Sequence, residues 1–186
     1  MDTINVERYS PAHRAEWDDF VARSRNGTFL LQRGYMDYHS DRFRDCSWMA
    51  YQNGKLRALL PANIDDSGVL HSHQGLTYGG WITPVGHLDG EDLLEIFGQA
   101  IEVWRKEGIK ELDYKRIPYI YSKTPADEDL YALFRLGAVR TGCGLSSAID
   151  LRDGVTFNQM QRRHLRKSQA LPLTISAVSY THLRAH

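Results

Sequence analysis

His71-Ser72-His73-Gln74-Gly75-Leu76-Thr77-Tyr78-Gly79-Gly80-Trp81 sets two imidazoles, a carboxamide, two hydroxyls and a phenol among three glycines. Polar groups of this kind are costly to bury, because each needs a partner once water is removed. The glycines let the backbone approach another segment closely or take up positive φ. At the end of a strand, such a run is either a site or a tight structural turn. Its neighbours have to decide between the two.

Immediately upstream, Val69-Leu70-His71-Ser72-His73 reads as a strand entered from the turn Asp65-Asp66-Ser67-Gly68. Before that turn, Ser47 to Tyr51 and Leu56 to Pro61 flank Gln52-Asn53-Gly54-Lys55, and Asn-Gly is a strong short hairpin signal. Ile4 to Tyr9 alternates as a strand. Ser10-Pro11 starts a helix with Trp17, Phe20, Val21 and Ser24 inward, and Asn26-Gly27 stops it. Downstream, Asp89-Gly90 opens a helix with Leu93, Leu94, Phe97, Ala100, Ile101 and Trp104 on one face, ended by Gly108. Glu111 to Lys115 alternates as a strand, and Asp127 to Leu136 is a second helix closed by Gly137. Ala138 to Arg140 and Ser146 to Leu151 read as further strand, Phe157 to Gln169 as a basic helix, and Leu173-Thr174-Ile175 as the start of another strand. Hairpins and crossovers are mixed, so the spacing predicts an α/β chain of α+β type, with one mixed central sheet and flanking helices.

The chain has 186 residues, 42% hydrophobic and 25% charged, the composition of a globular protein. Lys plus Arg and Asp plus Glu are both 23, so net charge points to neither a nucleic acid nor a membrane. Cys46 and Cys143 form no metal spacing and no disulfide framework, which makes the cytoplasm the expected location. No signal peptide or membrane span is read. Val178 to His186 has neither turn signal nor amphipathic period, and matches one reading frame of a sequencing-library adapter. A non-native tail is therefore expected over 178–186.

His71 and His73 share a face if the strand runs through both, and such a pair supplies two zinc ligands of the three or four required. His39 and His87 have no spacing that recommends them, so no metal is expected. Ser72 falls on the opposite face from His73, and no Gly-x-Ser-x-Gly elbow is present. Phosphate loops of the Gly-x-x-x-x-Gly-Lys and Gly-x-Gly-x-x-Gly types are also missing. Arg162 and Arg166 stack at i, i+4, as do Arg163 and Lys167, and no acid offsets them. The helix suits a phosphate group or an RNA backbone, or is a solvated face. Lys115-Arg116-Ile117-Pro118-Tyr119-Ile120-Tyr121 puts cations and phenols at a strand end, where ligands of α/β sheets tend to sit.

Three pieces in this order resemble the GNAT-like proteins of the FemABX type: His73 to Gly80 after a meander, Leu112-Asp113-Tyr114-Lys115-Arg116-Ile117-Pro118, and Asp127 to Leu133 before Gly137. Ile149-Asp150-Leu151 and the basic run Arg162 to Lys167 match the opening of that group's second domain. The resemblance implies tandem acyl-CoA N-acyltransferase-like domains: a first at 1–147, and the beginning of a truncated second at 148–177. It implies transfer of an acetyl or aminoacyl group to an amine, from acetyl-CoA, another acyl-CoA or an aminoacyl-tRNA. The acceptor would be a small molecule or a cell-wall precursor, and the basic helix would contact tRNA. In the roles it suggests, His73 takes the proton, Gln74 and Tyr78 orient substrate, and Lys115, Arg162 and Arg163 hold anionic groups. The pyrophosphate loop of plain acetyltransferases is absent, since Arg140 is followed by glycines at 142 and 144 and not at the required spacing. With its second domain cut short, this chain is expected to be inactive alone. The alternatives are a non-catalytic ligand-binding module that supports a partner domain, and an RNA binder acting through the basic helix. Donor, acceptor and oligomeric state are open in the sequence.

Overall fold

The computed structural model describes residues 4–86, 88–152, 154–172 and 174. The expected tail at 178–186, and Leu173 and Ile175 of the last expected strand, lie outside the described residues. The chain divides into two compact units, Met1–Arg140 and Thr141–His186.

The first unit contains β1 (Ile4–Arg8), α1 (Arg14–Arg23), α2 (Arg33–Met36), β2 (Trp48–Gln52), β3 (Lys55–Leu60), β4 (Asn63–Ile64), β5 (Val69–His71), α3 (Gly90–Lys106), β6 (Glu111–Asp113) and α4 (Glu128–Arg135). This is a mixed α+β architecture. In place of one continuous sheet there are two three-stranded ladders, β1-β2-β3 and β4-β5-β6. The first is antiparallel throughout; in the second, β5 pairs antiparallel with β4 and parallel with β6. Pro61 explains the division: it has no N–H to give to a ladder, and it separates β3 from β4. Isolated bridges Asp45↔Asn63 and Leu59↔Ile82 add pairing to β4 and β3 on either side of the break.

Hairpin β2–β3 turns on Asn53 and Gly54, with φ of 52° and 76°, the left-handed pair that matches strand twist. Its successive residues face opposite ways and both faces are covered. Trp48, Ala50, Ala58 and Leu60 join one core with Leu93, Ile96, Phe97, Ala100 and Trp104 of α3. Met49 and Leu59 join a second core with Trp17 and Val21 of α1, Leu31 and Ile82. Helix α3 starts at a reciprocal cap. The Asp89 carboxylate accepts from the N–H groups of Glu91 and Asp92, and the Asp92 carboxylate accepts from the N–H of Asp89.

In the second unit, residues 141–150 carry no regular structure, so the strand expected over 146–151 is not formed, and neither is the one over 138–140. A strand needs a paired neighbour, and Leu145 and Ile149 are exposed. α5 (Gln159–Gln169) is present, capped by Asn158 and Gln161. Among the described residues no helix is long and apolar enough to cross a membrane.

The opening segment departs most from the sequence reading. The parallel pair β5–β6 ends at His71↔Asp113, and the chain next meets its neighbour at Gly79↔Arg116. Residues 73–78 are therefore looped out, and Lys115 holds both ends. The Lys115 N–H donates to Ser72 Oγ at 2.6 Å, and its carbonyl accepts from the Gly79 N–H at 2.8 Å. A Cβ on Gly79 would land on the Ser72 carbonyl oxygen. The turn before β5 is held by one carboxylate. Asp65 Oδ1 accepts from the N–H groups of Ser67 and Val69 and from Ser67 Oγ, while Oδ2 faces His71 Nε2 at 2.9 Å. These contacts, the one to His71 first, hold the Asp65 carboxyl far below the usual carboxylate range.

Two outcomes are expected in urea unfolding. Gly79→Ala lowers stability by about 2–4 kcal/mol, as overpacking against backbone does. Gly98→Ala in α3, where an added Cβ meets nothing within 4 Å, raises it by about 0.5–1 kcal/mol. The folded-state value of Asp65 lies below its unfolded value, so its stabilisation is present above about pH 4 and is lost as pH falls. The stability gap between wild type and Asp65→Ala is therefore expected to narrow from about pH 5 to about pH 3.

Candidate functional site

The C-terminal ends of β5 and β6 meet at the 73–78 loop, and four of the six expected site residues lie on or beneath it. His73 has φ of 68°, in the left-handed region, and its side chain is turned inward. Only 3% of it is exposed, and its ring centroid lies 5.8 Å from that of Phe43. The Leu76 N–H closes the first turn of the loop on the His73 carbonyl at 3.1 Å. Gln74 is exposed, and its backbone and side chain both bond the buried Asn63 at 2.7 and 2.9 Å. Tyr78 is buried, with its hydroxyl 3.0 Å from Thr28 Oγ1 and its ring 4.9 Å from that of Tyr121. Burial raises its phenol above the ordinary value. Lys115 gives its peptide group to the loop ends and leaves its side chain in solvent.

His71 and His73 do not share a face. The strand ends at His71, and the left-handed residue at 73 breaks the alternation that would have kept both rings on one face. The His71 ring instead lies between Asp65 Oδ2 at 2.9 Å and Asp113 Oδ2 at 3.2 Å. Ser72 also has a structural task, since its hydroxyl replaces a ladder acceptor for Lys115. Among the described residues, no group of three His, Cys, Asp or Glu is arranged to hold a metal ion.

A second polar network escaped the sequence reading. Tyr114 Oη accepts from the Trp81 N–H at 2.8 Å and donates to Asp129 Oδ2 at 3.1 Å. Arg116 Nε donates to Asp129 Oδ1 at 3.1 Å, and its Nη2 bonds the Ala126 carbonyl and Asp127. Gly80, at φ of 97°, leaves room for the phenol; a Cβ there would lie 2.6 Å from Tyr114 Oη. Burial pushes Tyr114 well above the phenol range and raises the Asp129 carboxyl despite the adjacent guanidinium. The legible signal was alternation: Tyr114 and Arg116 share a strand face, and Asp127 and Asp129 are the acids at the start of α4. A hollow of about 630 Å³ beside this network is lined by Arg116, Tyr119, Lys123 and Asp127. Its Lys123 ammonium is already spent on the Ser24 carbonyl at 2.8 Å.

Arg162 and Arg163 belong to the second unit. With Asn158, Gln159, Arg166 and Lys167 they line an open hollow of about 810 Å³ on α5, and Arg162 Nε donates to the Phe157 carbonyl at 2.8 Å.

No protein-family profile matches the chain, and no curated protein does. Among solved structures, an aminoglycoside N-acetyltransferase AAC(6')-Iy in complex with CoA is similar at 12% identity and TM-score 0.49, over 80% of this chain and 96% of that one. Aminoglycoside 6'-N-acetyltransferase AAC(6')-Ih from Acinetobacter baumannii is similar at 13% identity and TM-score 0.48, over 80% and 99%. An acetyltransferase of the GNAT family from Streptococcus pneumoniae is similar at 13% identity and TM-score 0.47, over 75% and 87%. At this level of likeness, no residue role passes from those proteins to this chain.

Proposed function

We propose that this chain serves acyl transfer to an amine, with an acyl-CoA such as acetyl-CoA, or an aminoacyl-tRNA, as donor. The observation that carries the reading is the polar loop 73–78, pinched out where two parallel strands end. Crevices beyond the carboxyl ends of parallel strands are where sheets of this kind hold ligands. The motifs of the FemABX-type resemblance fall at the same place: His73 to Gly80 forms the loop, and Tyr114 to Ile117 runs beneath it. The acceptor is a small molecule or a cell-wall precursor. Its neutral nitrogen forms a bond to the acyl carbon while the C–S bond of a thioester, or the C–O bond of an aminoacyl ester, breaks. The nitrogen gives up one proton to a base.

His73 is proposed as that base, shielded from bulk water beneath Phe43. Tyr78 shapes the loop from below, and Lys115 offers a charge to anionic groups of the substrate. Residues 148–177 are proposed as the opening of a second domain of the same kind, with Arg162 and Arg163 facing phosphates of the donor. A second reading, RNA binding by α5, is favoured by the absence of any acidic side chain between Gln159 and Gln169. Affinity for RNA would then fall steeply as salt rises.

Transfer from acetyl-CoA and from aminoacyl-tRNA to a panel of amines is assayed with this chain and with any longer product of its gene. His73→Asn keeps a residue at ease in the left-handed region and removes the imidazole. It is expected to lower kcat/KM by about 100-fold or more in protein that still melts cooperatively, at a midpoint lowered by the lost packing. An unchanged rate ends the role of His73. No transfer with any donor, by this chain or by a longer product of its gene, ends the acyltransferase reading.

A further inference from the structure

We infer that Asn63 fixes the polarity of the Gln74 carboxamide, so that the loop presents the Gln74 amino group, and not its carbonyl, to an acyl oxygen. This rests on the acyl-transfer reading for the identity of the oxygen; the polarity itself follows from hydrogen-bond chemistry. A backbone N–H can only donate. The Gln74 N–H lies 2.7 Å from the Asn63 side chain, so the atom it meets is the Asn63 oxygen, Oδ1. That choice makes the other end of Asn63 its amino group, Nδ2, which can only donate. It lies 2.9 Å from the Gln74 side chain, so the Gln74 atom facing it is Oε1. Turning the Gln74 amide over would set two amino groups against each other and leave the buried Asn63 amide without its acceptor. Asn63 is only 1% exposed, and is set in the β4 ladder opposite His71.

The Gln74 carbonyl is thus consumed internally, while its Nε2 keeps two N–H donors on an exposed side chain. No described residue takes them. A donor-only group has nothing to offer an ammonium, and on the neutral amine it would tie up the lone pair that has to attack, so the acceptor amine is not its productive ligand. Its complement is an oxygen with lone pairs: the carbonyl of a thioester or aminoacyl ester. As the acceptor nitrogen adds to the acyl carbon, the carbonyl π pair moves onto that oxygen, where the Gln74 N–H groups meet it. The pair returns when the thiolate or ribose oxygen leaves, and the nitrogen's proton goes to the base. Donors aimed at an oxygen that gains charge bind it more tightly in the transition state than in the ground state. Asn63 touches no substrate; it is a positioning residue.

Two readouts test this separately. In the ¹⁵N-labelled wild-type chain, both Nε2 hydrogens of Gln74 are expected to exchange rapidly with water, and in Asn63→Asp one of them slows. The aspartate still accepts the Gln74 N–H but turns the carboxamide over. A slowed Nε2 hydrogen in the wild type overturns the polarity. In the transfer assay, Gln74→Glu preserves both bonds to Asn63 and replaces the outward donor by a carboxylate oxygen. It is expected to lower kcat by about 100-fold or more, with KM for the amine and the thermal midpoint unchanged. A loss confined to KM, or no loss, overturns the acyl-oxygen role. Burying a carboxylate at 63 costs stability, so Gln74→Glu is the deciding variant. If the wild type transfers nothing while the exchange pattern is as expected, the polarity stands and the acyl oxygen is removed as its ligand.

Discussion

A single peptide group, that of Lys115, holds the 73–78 loop at both ends. Its N–H reaches the Ser72 hydroxyl and its carbonyl receives the N–H of Gly79. These bonds stand in for the ladder that β5 and β6 would have continued, so the loop is ejected without leaving the strand ends unpaired. The arrangement works because Gly79 has no Cβ to collide with Ser72, and because Ser72 supplies an acceptor at the right depth. Beyond the pinch, the chain resumes at once: Ile82 exchanges both backbone bonds with Leu59 and so ties the segment to the β1–β3 ladder.

The far side of that segment is gripped by residues that end α1. Asn26 spans the chain from 81 to 83, donating to the Trp81 carbonyl at 2.9 Å and accepting from the Thr83 N–H at 2.9 Å. Arg25 donates to Thr83 Oγ1 at 2.8 Å and makes a two-pronged contact with Glu128 at 2.9 and 2.7 Å. The guanidinium is almost wholly enclosed, with 7% of its side chain exposed. A planar fork against a carboxylate fixes direction as well as distance. The start of α4 is thereby oriented against the end of α1, and Asp129 is delivered to Tyr114.

The hairpin was readable because Asn53-Gly54 states its own backbone conformation, and α3 because its apolar stripe is long and its cap acidic. The loop was not. Val69 to His73 alternates like a strand to its end, and nothing local shows that His73 turns left-handed. What ends the strand is tertiary: the Ser72 hydroxyl taken by Lys115, from a segment beyond α3. Asn63 was missed for a related reason. It follows a proline in a stretch that reads as connection, and its importance comes from a partner reached only after the β4–β5 turn. The strand expected over 146–151 had the right residue types, yet these residues join no ladder and Leu145 and Ile149 stand exposed.

Pinning the loop at its two ends separates what it displays from what it supports. Leu76 and Tyr78 point into the core with Met49, Leu59 and Ile82, whereas Gln74 and Thr77 stand in solvent. The register of the strands is set at Ser72 and Gly79, outside the displayed positions. Sequence change at 77 can therefore retune what the surface recognises while the scaffold remains indifferent, whereas a change at 74 must still supply an acceptor to the buried Asn63 amide. The same latitude is denied one residue away, at Leu76 and Tyr78.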